Sequence, residues 1–99
     1  MTAKPIRPQA VATVQLDDER VKVTEWRFAP GAETGWHTHT MDYVVVPVAN
    51  GMLEIEMPDG TSFRAPLTLG GTYGRKTGTK HNVINASAHE VAFVEIELK

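Results

Sequence analysis

Apolar residues recur at every second position along most of this chain, and almost nowhere at the spacing of a helix. Leu53, Ile55 and Met57 alternate with Glu54 and Glu56, and Thr24, Trp26 and Phe28 share one face of Val21 to Phe28. Such alternation specifies strands that bury one face, because successive side chains point to opposite sides. Turn residues punctuate it: Asp17-Asp18-Glu19-Arg20, Ala29-Pro30-Gly31, Asn50-Gly51 and Asp59-Gly60. The expected strands are Val11 to Leu16, Val21 to Phe28, Trp36 to Val48, Met52 to Met57, Thr61 to Pro66, Thr68 to Gly74, His81 to Asn85 and His89 to Leu98. Asn50-Gly51 and Asp59-Gly60 are each expected to close a tight hairpin, since that turn needs residues that tolerate positive φ. A chain of 99 residues holds one domain. About eight short strands in one domain suggest an all-β sandwich or small barrel. The expected division is a flexible tail over residues 1–9 and a barrel over residues 10–99.

The chain has no cysteine and four histidines. That excludes a disulfide scaffold, a thiolate zinc site, an iron–sulfur cluster and a cysteine nucleophile. Any metal chemistry must rest on nitrogen and oxygen. The net charge is −2 and the longest basic run is Arg75-Lys76, so nucleic acid and acidic membranes find little to hold. The segment from Met1 to Gln9 carries Pro5 and Pro8 and no apolar signal core. No apolar run approaches the roughly 20 residues of a membrane helix. The expectation is a soluble cytoplasmic protein with no membrane partner, in which Asn85-Ala86-Ser87 is not a glycosylation site.

His37 and His39 stand two apart, which on a strand puts both side chains on one face, with Cα atoms about 6.6 Å apart. Two imidazoles so placed can converge on one metal ion, or can simply be polar residues on a strand edge. His81, at the start of a later strand, adds a third imidazole that a barrel could bring to the same cavity. These residues resemble the two motifs of the cupin family. Gly31 is followed by five residues and then His37-Thr38-His39. Gly70 is followed by five residues, Lys76-Thr77-Gly78, two residues, His81, three residues and Asn85. The resemblance implies a single-domain jelly-roll barrel holding one divalent transition metal on His37, His39 and His81. Lys76 replaces the proline of the second motif, and the glutamate of the first is missing. The two permitted counts after His39 reach Tyr43 and Val44, and neither is a carboxylate. Asp42 has opposite parity to the histidines and points away in a regular strand, unless a bulge intervenes. Tyr43 shares the ligand face, as a core aromatic, a ligand or a hydrogen-bond partner in catalysis. Three imidazoles without a carboxylate favour iron, zinc, nickel or copper over manganese.

The resemblance further implies a small-molecule enzyme of dioxygenase, decarboxylase or isomerase type, acting on an oxygenated substrate that chelates the metal. A non-catalytic module that binds or senses a small ligand is the alternative. The run from Trp36 to Pro47 and the ending Val94 to Lys99 are also similar to small cupins named for β-alanine degradation. His89 is expected to be an exposed turn residue. Arg27 and Arg75 are solvated strand arginines or carboxylate binders at a cavity mouth. Trp26, Trp36 and Phe93 are expected in the core or cavity wall. If Tyr43 faces inward, then Val44, Val46 and Val48 face outward, as do Ala92, Val94, Ile96 and Leu98. A face this apolar is expected to pack against a second copy, as in many cupins, or to be covered by the N-terminal segment.

Overall fold

The computed structural model describes residues 6–99. Among them nine strands follow in order: β1 (Val11–Asp17), β2 (Val21–Phe28), β3 (His37–Thr38), β4 (Asp42–Pro47), β5 (Gly51–Glu56), β6 (Ser62–Leu67), β7 (Tyr73–Arg75), β8 (Lys80–Asn85) and β9 (Val91–Leu98). They form two antiparallel sheets, one ordered β1-β2-β9-β4-β7 and the other β3-β8-β5-β6. The alternation read from the sequence sets which residues meet between them. In the first sheet Phe28 sits opposite Val91 and Trp26 opposite Phe93. Phe28 and Phe93 pack with ring centroids 5.4 Å apart. Val45, Leu53, Leu67 and Val83 complete the buried centre.

Between the two sheets the chain crosses wherever the expected strands proved too long. The run from Trp36 to Val48 is two strands. β3 pairs with β8 in one sheet, β4 pairs with β9 and β7 in the other, and the chain crosses at His39–Met41. The expected strand from Thr68 to Gly74 is mostly a turn, in which the Gly71 amide donates to the Thr68 carbonyl at 2.7 Å. It carries the chain from β6 to β7 on the opposite sheet. Trp36, expected inside, is 51% exposed. It precedes the two-residue strand β3 and lies with Pro58 and Lys80 in a shallow surface dent.

One expected hairpin forms and the other does not. Asp59-Gly60 joins β5 to β6, with Gly60 at φ 87° and the Asp59 carboxylate accepting from the Thr61 amide and hydroxyl. Asn50-Gly51 instead links β4 to β5, which lie in different sheets, and neither residue has positive φ. Asn50 Oδ1 accepts from the Leu69 amide at 2.8 Å, which ties two crossovers together. Gly51 is required for space: a Cβ there would lie 2.4 Å from Val91 Cγ1 and 2.8 Å from Ser87 Oγ.

Buried asparagines tie the corners. Asn85, the last residue of the second motif, donates to the carbonyls of Phe28, Ala29 and His89 and accepts from the Ser87 amide. The segment expected as a loose tail includes residues 1–5, outside the described part. Arg7 pairs with Glu33, and Gln9 bridges to Glu33. His89 is exposed, and Arg27 pairs with Glu25 and Glu90 at the surface.

The outer face of the first sheet is apolar. Leu16, Val23, Ile96 and Val44 form one row across four strands by register, with Val94 beside Val46 in the next. β1 extends the edge of this sheet and does not lie over its face. Among the described residues no helix is long and apolar enough to cross a membrane.

Substitution of Gly51 by Ala should destabilise the fold by about 1–3 kcal/mol, the usual cost of overpacking a filled site. Urea unfolding checks it; an unchanged midpoint would show that Val91 and Ser87 yield freely.

Candidate metal centre

The register of the β3–β8 ladder puts His37 directly opposite His81. His39 lies just beyond β3, where the chain leaves for the other sheet. Its amide donates to the Thr79 carbonyl, and its carbonyl accepts from the Gly78 amide, both at 2.8 Å. The ladder therefore continues one step past the assigned strand and holds His39 on the same inner face. The three Nε2 atoms form an equilateral triangle with sides of 3.1 Å. The rings meet nearly edge to face, with interplanar angles of 79°, 69° and 87°.

This triangle fits a metal ion. Two imidazole nitrogens bound at about 2.0–2.1 Å stand about 2.9 Å apart at right angles and about 3.4 Å apart in a tetrahedron. The ring chemistry agrees. His37 Nδ1 lies 2.9 Å from the Gly35 carbonyl, which can only accept, so the proton sits on Nδ1 and the Nε2 lone pair is free. Burial above all, reinforced by repulsion from His37 whenever that ring is protonated, pulls His39 and His81 down to about 4, so both are neutral at pH 7. Neutral imidazoles are the form that binds metal. Converging lone pairs repel one another, and a cation between them removes that cost.

Tyr43 comes in from β4 and stacks on His39, with ring centroids 3.8 Å apart and planes 18° apart. Burial raises its hydroxyl to about 12, with the charges of Glu95 and Tyr73 acting the same way. It is therefore a phenol at neutral pH and can donate a hydrogen bond. Asp42 turns outward, as its parity predicts, and its Oδ1 accepts from the Thr77 amide at 2.8 Å.

A carboxylate does reach the histidines, from an element that the motif count does not cover. Glu95, on β9, is 8% exposed, and its Oε1 lies 3.6 Å from His39 Nδ1. That is the ring nitrogen turned away from the triangle, so Glu95 is not a fourth ligand of the same ion. Burial raises Glu95 to about 7, Glu97 adds to the rise, and Trp26 and Lys22 oppose it. The sequence did carry a signal for it. Parity places Val91 and Phe93 on the inner face of β9, and the same count continues to Glu95.

The histidines line a cavity of about 460 Å³ between the sheets. This lies within the usual range of small-molecule sites. Its walls are mostly apolar, from Val45, Leu53, Ile55, Phe63 and Phe93, and its polar lining includes Thr34, Thr79, Arg75 and Glu95. Phe93 is thus cavity wall, as expected, and Trp26 packs partly buried against the core. Arg75 is exposed and lies at the cavity.

No family model matches the chain. It is 64% identical over 93 residues to the β-alanine degradation protein BauB of Pseudomonas aeruginosa, covering 94% of this chain and 97% of that protein. A cupin domain from Bordetella pertussis superposes with a TM-score of 0.92 at 59% identity, over 97% of this chain and 99% of that one. A double-stranded β-helix domain from Klebsiella pneumoniae shares the fold at 21% identity, with a TM-score of 0.76 over 96% and 81% of the two chains. Identity of 64% to the Pseudomonas protein and 59% to the Bordetella cupin domain, each over nearly the whole chain, with a matching fold and a histidine triangle inside it, establishes that this chain belongs to the cupins.

Proposed function

We propose that this cupin is a metal-dependent enzyme for a small oxygenated substrate, with His37, His39 and His81 as the metal ligands. The observation that carries the reading is the triangle of Nε2 atoms at the wall of a largely apolar cavity. A divalent ion there supplies Lewis acidity or, in the case of iron, one-electron redox chemistry. The all-nitrogen donor set favours iron, zinc, nickel or copper over manganese. Such chemistry serves dioxygenase, decarboxylase and isomerase reactions alike. The name of the Pseudomonas relative supports a place in the breakdown of small carbon compounds.

The remaining residues take complementary roles. Tyr43, protonated at neutral pH and stacked on His39, donates a hydrogen bond to a substrate oxygen. Glu95 is a positioning residue: a closure of a few tenths of an ångström converts its contact with His39 Nδ1 into a hydrogen bond, which fixes the tautomer and aims Nε2. The apolar walls exclude water and select a substrate with an apolar body. A binding or sensing module is the second reading. It is favoured by the high position of Tyr43, which leaves this hydroxyl unable to act as a base at pH 7. In either case the protein is taken to act in the cytoplasm as a homodimer, joined through the row of Leu16, Val23, Ile96 and Val44. Paired apolar sheet faces are a common way to close a twofold dimer.

Elemental analysis should find one equivalent of transition metal in the wild type and almost none in His81→Ala. Full metal retention in that variant would reject the site. Glu95→Gln should bind zinc about 10-fold more weakly in a competition titration while remaining folded. Equal affinity would reduce Glu95 to a wall residue. Light scattering should give twice the chain mass for the wild type and the monomer mass for Val46→Lys. A monomeric wild type at micromolar concentration would reject the dimer.

A further inference from the structure

The cavity has a mouth, and strand register locates it. Phe63 pairs with Ile55 across β5 and β6, so both side chains lie on the inner face of that sheet. Ile55 is 8% exposed, yet Phe63 is 53% exposed. An inward aromatic that still meets solvent marks an opening beside β6, the edge strand of its sheet. The edge strand of the other sheet is β7, which supplies Tyr73 and Arg75 to the same cavity. Arg75 pairs with Tyr43 across the β4–β7 ladder, so it shares the inner face of its own sheet with a buried residue.

Arg75 stands there with most of its donors unused. Its guanidinium lies 4.6 Å from the centroid of the Tyr73 ring, which holds the planar group in place. Its one side-chain hydrogen bond among the described residues runs from a terminal nitrogen to the Gly74 carbonyl, at 2.8 Å. A guanidinium has five N–H donors in a fork that matches a carboxylate. Arg27, by comparison, spends its charge on Glu25 and Glu90.

We infer that the ligand is an elongated organic acid whose carboxylate pairs with Arg75 at the mouth. Its apolar body lies along Phe63, Ile55 and Val45, and its other end presents chelating oxygens to the three histidines. The inner end of this assignment rests on the metal site proposed above; the outer end rests on Arg75 and the mouth alone. An inward charge on an edge strand can also serve to prevent edge-to-edge pairing. Ligand binding separates the two roles.

The probes are monohydroxamates of linear dicarboxylic acids, from succinic to suberic, compared with the same hydroxamates ending in a primary amide. Hydroxamate chelates zinc, and the far end reports on Arg75. Calorimetry with the zinc-loaded protein should show the best acid binding at least about 10-fold more tightly than its amide, as expected for a charge-assisted fork. Arg75→Gln should abolish that preference, retain one equivalent of zinc and bind the amide as before. Arg75→Lys should keep part of the preference. Acid and amide binding equally to the wild type, or an unchanged preference in Arg75→Gln, would overturn the assignment and leave the metal reading intact. Failure of every hydroxamate to bind the zinc-loaded wild type would reject the open chelating site and the ligand assignment with it.

Discussion

The short ladder between β3 and β8 is the constraint on which the rest of the centre depends. It places His37 opposite His81 and continues by two backbone hydrogen bonds to His39. Because those bonds fix the backbone, the three imidazoles face one another through their Nε2 atoms. Other features serve this arrangement. The crossing at His39–Met41 frees the chain to enter the opposite sheet, so Tyr43 arrives stacked on His39. The Gly35 carbonyl sets the tautomer of His37. Burial keeps His39 and His81 neutral, which costs little as long as a cation can occupy the space between them.

The missing glutamate of the first motif then has a physical account. No strand position near Tyr43 supplies a carboxylate to the triangle, and Asp42 is turned outward toward the Thr77 amide. The carboxylate that approaches is Glu95, on the far nitrogen of His39. A carboxylate in that position leaves the open side of the histidines to solvent and ligand, where a fourth protein ligand would occupy it. Arg75 lies on the same inner surface but at its edge, where the apolar walls give way to solvent. Arg75 and the three histidines thus line the same largely apolar cavity.

The fold also shows where local sequence signals mislead. Asn50-Gly51 has the composition of a tight hairpin, but Gly51 is needed because Val91 and Ser87 leave no room for a side chain. Trp36 to Val48 reads as one strand, because each half alternates correctly and nothing local announces the crossing. Trp36 lies outside the core because the chain has not yet entered the sheet at that point. In each case the deciding contact comes from residues far away in the chain.

From the sequence alone, the period-two pattern determined an all-β domain and put His37 and His39 on one face; the same count gave the right directions for Tyr43 and Asp42, although the chain changes sheets before it reaches them. The spacing of glycines and histidines pointed to the cupin family. Those features are local: they depend on alternation along a strand and on turn residues. Tertiary structure decided which strands lie side by side, that the histidine triangle closes to 3.1 Å, and that Glu95 and Arg75 join the cavity from β9 and β7. Strand pairing is a long-range choice, set by which apolar faces fill one another, and it leaves no mark in the spacing of any single segment.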